Sequence, residues 1–250
     1  MTPPALMLCL SALVSVSAHA ASCQAQRPWV PVLELYTSEG CSSCPPAEAW
    51  LGSLADDAVA HRIVPLAFHV DYWNHLGWTD PFALPAHSSR QRSLSRAEGG
   101  SVVYTPQVRL AGDDFRGWRS AEQVRERIAR RTPLPDATVD LRLETGAERL
   151  HVDARTHLPS RTVAYLALYE RRLASNVRSG ENAGRRLSHD FVVRRFAGPF
   201  TVAGSGEFAL RHDFDLAPDW KRADLGVALI QADARSGASL LGAALNACPG

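Results

Sequence analysis

The sequence predicts a mixed α/β domain over residues 28–132 followed by an all-β antiparallel sandwich over residues 136–248. Three observations carry this. Up to residue 132, short continuous apolar runs alternate with segments of helical period. At Thr132-Pro133-Leu134-Pro135 two prolines interrupt any regular element and mark a linker. Beyond them the apolar residues recur at every second position, the period of a half-buried strand.

Residues 1–20, MTPPALMLCLSALVSVSAHA, read as a secretory signal with a core from Ala5 to Val16 and a small-x-small site at Ala18-His19-Ala20. The first 18 residues carry no Lys or Arg, which departs from the usual pattern. A lipoprotein processed before Cys23 is the alternative, although Ala20-Ala21-Ser22 lacks the expected aliphatic residue. A short polar lead runs to Pro31, and Val32–Tyr36 is a buried strand. A helix is expected over Ala47–Leu54 with Trp50, Leu51 and Leu54 inward, and a central strand over Ile63–Val70. An aromatic loop, Asp71–Pro85, leads to a polar helix over Ala86–Glu98. Then come a short strand at Val108–Leu110, a turn at Gly112-Asp113-Asp114, a brief strand at Phe115–Gly117 and a helix over Ala121–Arg130. Six strands are expected in the second half: ATVDLRLE, LHVDART, TVAYLALYE, DFVVRRF, EFALRHDFDL and LGVALIQAD.

The 250 residues are 46% hydrophobic and 21% charged, with a net charge of +1, as in soluble globular chains. No global field directs the protein to nucleic acid or a membrane surface, and no membrane span is expected. No cofactor motif is present, so none is expected.

Five cysteines are present, and Cys9 leaves with the signal. The remaining four, in an exported chain, point to two pairs among three possible connectivities. The short loop favours Cys41–Cys44, which leaves Cys23–Cys248 to tie the ends of the mature chain. Cys41 and Cys44 stand at Cys-x-x-Cys spacing between the first strand and a helix start. Free amide N–H groups there lower a thiol pKa, and the thiolate is the nucleophile. Pro45 and Pro46 fit the first turn, which needs no N–H. Cys41, at the end of the turn, is expected to be the more exposed and more acidic sulfur, with Glu39 opposing the shift.

Cys-x-x-Cys at a helix start, with Thr105-Pro106 before a later strand, resembles a thioredoxin-like fold. That resemblance implies a cis Pro106 facing the cysteine pair. More narrowly, LELYTSEGCSSCPPAE, AFHVDYWNHLGWTDPFA and YTPQV are similar to the secreted bacterial family catalogued as domain of unknown function 1223. SGENAGRRLSHDFVVR, Ser179–Arg194, is similar to that family's second half. The resemblance implies a thioredoxin-like domain and export, with no activity assigned.

The candidate site is Cys41, Cys44 and Pro106, supported by Thr105, Glu34, His69, Asp71, Tyr72 and Trp73. Each has an alternative reading. The cysteines form a redox pair or a structural disulfide. His69, Asp71, Tyr72 and Trp73 line a site or merely hold the long loop. Glu34 is a buried carboxylate of raised pKa that shuttles a proton to Cys44, or a solvated edge residue. Arg178, Asn182, Arg185, His189 and Arg194 bind an anion or form a hydrogen-bond network across the sandwich. Three functional classes follow. The first is a periplasmic or secreted thiol–disulfide oxidoreductase acting on protein thiols or disulfides. The second is a Cu(I) carrier using both sulfurs with His69 or His75. The third is a non-catalytic adaptor.

Overall fold

The computed structural model describes residues 21–130, 138–201 and 206–248. The signal segment and the Thr132–Pro135 linker lie outside the described residues. In the first half, β1 (Ala21–Pro28) and β2 (Val30–Thr37) precede α1 (Pro45–Ser53), α2 (Ala55–Val59) and β3 (Val64–His69). α3 (Pro85–Ala97), β4 (Gln107–Leu110), β5 (Asp113–Asp114) and α4 (Ala121–Ala129) follow. The second half is β6 (Thr138–Thr145), β7 (Arg149–His157), β8 (Thr162–Glu170), β9 (Leu173–Asn176), β10 (Arg186–His189), β11 (Val192–Thr201), β12 (Glu207–Asp215), β13 (Leu225–Asp233) and β14 (Ser239–Asn246).

The architecture is mostly β, and it corrects the expectation of a thioredoxin-like α/β domain followed by a separate sandwich. One sheet runs β14-β13-β8-β11-β3-β2-β4-β5, and β14 also pairs with β2. The second contact closes the six strands β2, β3, β11, β8, β13 and β14 into a barrel. β2 and β3 are parallel, as the continuous apolar runs require. β3 then pairs with β11 at Ala67–Val192, and the start of β2 pairs with β14 at Pro31–Leu241 and Val30–Gly242. The rest of β2 takes β4 on that same edge, Leu33 to Tyr36 against Leu110 to Gln107. Strands from both sides of the linker thus share one hydrogen-bonded ladder. The reason is edge satisfaction: a two-sided apolar strand leaves backbone groups on both edges that must be paired.

A second sheet, β1-β6-β7-β12, covers one side of the barrel. Its apolar face meets alternate residues of the barrel strands, and Leu141, Leu143 and Val152 share a buried cluster with Leu166, Leu168, Val227 and Leu229. The other face of β8 and β13, with Ala167, Tyr169, Ala228 and Ile230, joins Val32, Leu66 and Phe68 in the larger core. All six predicted strands of the second half form. β1, read as a polar lead, pairs along its length with β6. β14, unread in SLLGAALN, supplies the closing strand. The predicted strand at Phe115–Gly117 is instead part of a single 3-10 turn at Arg116–Arg119, and the predicted turn at Asp113-Asp114 is β5. α1 buries Leu51, with Leu54 capping it, while Trp50 is half-buried against Trp118.

Glu34 lies in β2 and is buried, but its role is not the predicted one. Its carboxylate accepts from Arg90 of α3 at 2.7 Å, from Tyr36 at 2.8 Å and from Ser239 of β14 at 2.6 Å. Burial pushes the carboxyl up, but the Arg90 charge and these hydrogen bonds outweigh it and hold it below the usual range. It is neither a proton shuttle of raised pKa nor a solvated edge residue. It pins α3 to the seam where β14 meets β2.

Two expectations follow. A carboxyl held low contributes stability that is complete above its unfolded value, about 4.3, and is lost as pH falls through the lower folded value. Glu34→Gln leaves Arg90 buried without its charge partner, so it should cost about 3–5 kcal/mol at neutral pH. Urea unfolding against pH should show the variant losing less further stability on acidification than the parent. Cys23 and Cys248 are disulfide-bonded with Cα atoms 5.7 Å apart, tying β1 to the residues after β14. Cys23→Ser with Cys248→Ser should lower stability by about 2–5 kcal/mol, read by the same unfolding assay under non-reducing conditions.

Candidate functional site

β2 delivers the chain to the turn Ser38–Cys41, closed by Cys41 N–H donating to Ser38 O at 3.1 Å. Gly40 has room for no side chain, since a Cβ there would come within 3.0 Å of the Trp73 Cβ. Cys44 is the N-cap of α1, and Cys41 and Cys44 form a disulfide with Cα atoms 5.5 Å apart. The helix start offers these sulfurs little. Pro45 and Pro46 have no N–H, and the amides of Ala47 and Glu48 both donate to Cys44 O. The expected lowering of the Cys41 pKa by free helix amides therefore loses its donors.

Both sulfurs are fully buried at 0% exposure, against the expectation that Cys41 is exposed. Part of the cover is the segment 177–185 between β9 and β10. Its Asn182 side chain donates to Glu39 O at 2.8 Å and Cys41 O at 3.0 Å, and the Glu181 carboxylate accepts from the Ser42 N–H at 2.9 Å. Ser179 donates to Gly77 O, and Arg185 donates to Asn182 Oδ1 at 2.7 Å. Asn182, Arg185 and His189 thus hold the second half of the chain to the cysteine turn. Arg194 is elsewhere, stacked on Trp220 and 3.5 Å from Glu170, so the five residues form neither one anion site nor a network confined to the sandwich.

The exposed rim of the cysteine loop opens on a groove of about 450 Å³ lined by Ser43, Tyr104, Thr105, Pro106, Phe115 and Trp118. Thr105-Pro106 is cis, as the resemblance implied. Trp73 donates from Nε1 to Thr105 Oγ1 at 2.8 Å and so joins the aromatic loop to this groove. Asp71 faces α3, where Ser88 bonds it, and the Tyr72 hydroxyl donates to Gln91 of α3 at 3.1 Å and also reaches Thr105 beside the groove. They hold the loop and do not join the cysteines.

His69 belongs to a different, fully buried group behind the turn. Its Nδ1 lies 2.7 Å from Asp80 Oδ2. His189 sits between Glu48 on Nδ1 and Glu39 on Nε2, the latter at 2.8 Å. Burial disfavours its charge, but Glu48 and Glu39 outweigh that and hold the imidazole up at about 10. Burial likewise pushes the Glu48 and Asp80 carboxyls up, yet the neighbouring histidines leave both below the usual range. Glu39 also accepts from Trp78 Nε1 at 2.8 Å and from Ser175. Glu48 and Asp80 carry no local motif, so spacing could not have singled them out. Glu48 meets His189 where β10 packs against α1, while Asp80 joins the group through His69.

If the 177–185 segment limits access, loosening it should speed reaction at the disulfide. Asn182→Ala removes two bonds to the cysteine turn, worth about 1–3 kcal/mol if the partners are left unpaired. Reduction of Cys41–Cys44 by dithiothreitol, followed by alkylation and mass spectrometry, should accelerate roughly tenfold or more in the variant, since 1.4 kcal/mol is a factor of ten.

No curated protein matches the chain. The crystal structure of protein AGR_C_4864 from Agrobacterium tumefaciens is similar, with a TM-score of 0.62 and 25% identity, over 86% of this chain and 92% of that one. The family model for proteins of unknown function designated DUF1223 matches residues 32–231, which include the cysteine turn, the groove, the 177–185 segment and the buried histidines; the chain belongs to that family.

Proposed function

We propose that this protein carries out thiol–disulfide exchange through Cys41 and Cys44, outside the cytoplasm, on protein thiols or disulfides. The observation that carries the reading is that Ser43, between the two cysteines, lines the same groove as Thr105 and Pro106. An incoming chain lying in that groove would pass directly beside the bonded pair. The expected signal at residues 1–20 supports export to the periplasm or beyond, where disulfides persist.

In the reduced protein, the Cys41 thiolate attacks a substrate disulfide, forms a mixed disulfide and releases one substrate thiolate. Cys44 then attacks the Cys41 sulfur, and the second substrate sulfur leaves. The substrate gains two electrons and two protons, and the protein is left as the Cys41–Cys44 disulfide. The reverse sequence oxidises a substrate dithiol. Either way the surroundings of the pair must open to admit substrate, because both sulfurs are buried. A Cu(I) carrier is less well supported. Among the described residues His69 is grouped with Glu48 and His189 and not with the sulfurs, and His75 is exposed with its Nδ1 2.8 Å from Tyr72 O.

Expressed in a periplasm, Cys44→Ser should accumulate mixed disulfides through Cys41, seen as reducible higher-mass species, and Cys41→Ser should accumulate none. Absence of adducts from Cys44→Ser, with the native pair inert to a glutathione redox series, would sink the exchange reading. Copper bound stoichiometrically by both sulfurs would replace it with the carrier reading.

A further inference from the structure

The buried group behind the cysteine turn has one unexplained atom. His69 is fully buried, and its Nε2 has no hydrogen-bond partner. Burying a polar atom without a partner is unfavourable, and in this group it is the atom the surrounding hydrogen bonds leave out. In the neutral tautomer that donates Nδ1–H to Asp80 Oδ2, 2.7 Å away, Nε2 presents its lone pair. One ligand atom each from His69, Glu48 and His189 lie within 4.8 Å of one another. Tetrahedral zinc, with bonds of about 2.0–2.2 Å, spaces its ligand atoms roughly 3.5 Å apart, so the three atoms must respace, with His189 Nδ1 and the Glu48 oxygen moving apart to admit the ion.

The outer contacts have the form that metal sites use. A metal-bound histidine gives its other ring N–H to a carboxylate, which fixes the tautomer and the ring direction. His69 does so to Asp80, and His189 can do so through Nε2 to Glu39 at 2.8 Å. Nδ1 of His189 and a Glu48 oxygen already face each other. A cation between them replaces one hydrogen, released to solvent. The second Glu48 oxygen accepts from Thr37 Oγ1 at 2.5 Å, which holds that carboxylate in place. Even with both imidazoles protonated, two positive charges would face the three carboxyl groups of Glu39, Glu48 and Asp80.

We propose that His69 Nε2, His189 Nδ1 and a Glu48 oxygen form a divalent metal site, with Zn²⁺ the best fit to two imidazoles and one carboxylate. A clamp of His189 between two glutamates accounts for His189 but leaves His69 Nε2 unused. The metal uses both. The site shares no ligand with the cysteine pair and stands independently of the exchange reading.

The test uses the full chain with its disulfides intact, stripped by chelator and titrated with Zn²⁺ against a chromophoric competitor. One Zn²⁺ per chain should bind. His69→Asn keeps an amide N–H near the Nδ1 position for Asp80 but removes the ligand atom. It should unfold at the parent's temperature without metal and bind Zn²⁺ at least 100-fold more weakly. Cys41→Ser with Cys44→Ser should still bind one. Should His69→Asn unfold, Glu48→Gln and the Co²⁺ spectrum of the parent decide. Weakened binding in Glu48→Gln and visible bands without sulfur-to-cobalt charge transfer support the site. No binding by the parent, undiminished binding in the folded His69→Asn or Glu48→Gln variant, loss in the cysteine variant, or a sulfur charge-transfer band would overturn it.

Discussion

The pairing of β14 with the start of β2 is the contact on which the rest of the structure depends. It turns an open sheet into a ring of six strands in which β2 is bonded on both edges. On one edge β2 bonds β3, and on the other it bonds first β14 and then β4. Gly242 is what lets β14 approach, since a Cβ there would come within 2.8 Å of Val32 and 3.3 Å of Val64. The Glu34–Arg90–Ser239 contact reinforces the same seam with a buried charge pair, and the Cys23–Cys248 bond holds the ends of the chain beside it.

Because β2 is so fully bonded, its C-terminal end is a rigid platform for the cysteine turn. The turn receives its cover from residues 140 positions away. The 177–185 segment holds the backbone of Glu39, Cys41 and Ser42 on one side, while His189 ties Glu39 to Glu48 behind it. Glu39 thus connects the two regions: its backbone lies under the cover and its side chain enters the buried group.

Burial explains why the sulfurs differ from the expectation. A Cys-x-x-Cys at a helix start is reactive when its first sulfur meets solvent and unspent amide donors. Here two prolines remove donors, Cys44 O uses the next two, and both cysteines are buried. Among the described residues no helix is long and apolar enough to cross a membrane.

The sequence by itself determined what local chemistry sets. The apolar runs at Val32 and Ile63 specified strands buried on both faces, period-two alternation specified β6, β7, β8, β11, β12 and β13, and the family motifs specified the cysteine turn with Thr105-Pro106. Disulfide pairing followed from counting four cysteines and weighing loop lengths. Tertiary structure alone decided which strands share a sheet. β14 is built of small residues and leucines with no clear alternation, so its strand character comes from the partners it closes onto. The same holds for the buried group. Glu39, Glu48, Asp80, His69 and His189 are ordinary polar residues in sequence, and tertiary packing, including that of β10 on α1, brings them together and buries them. Local propensity acts over a few residues, whereas edge pairing and desolvation are settled by chain segments more than 100 positions apart.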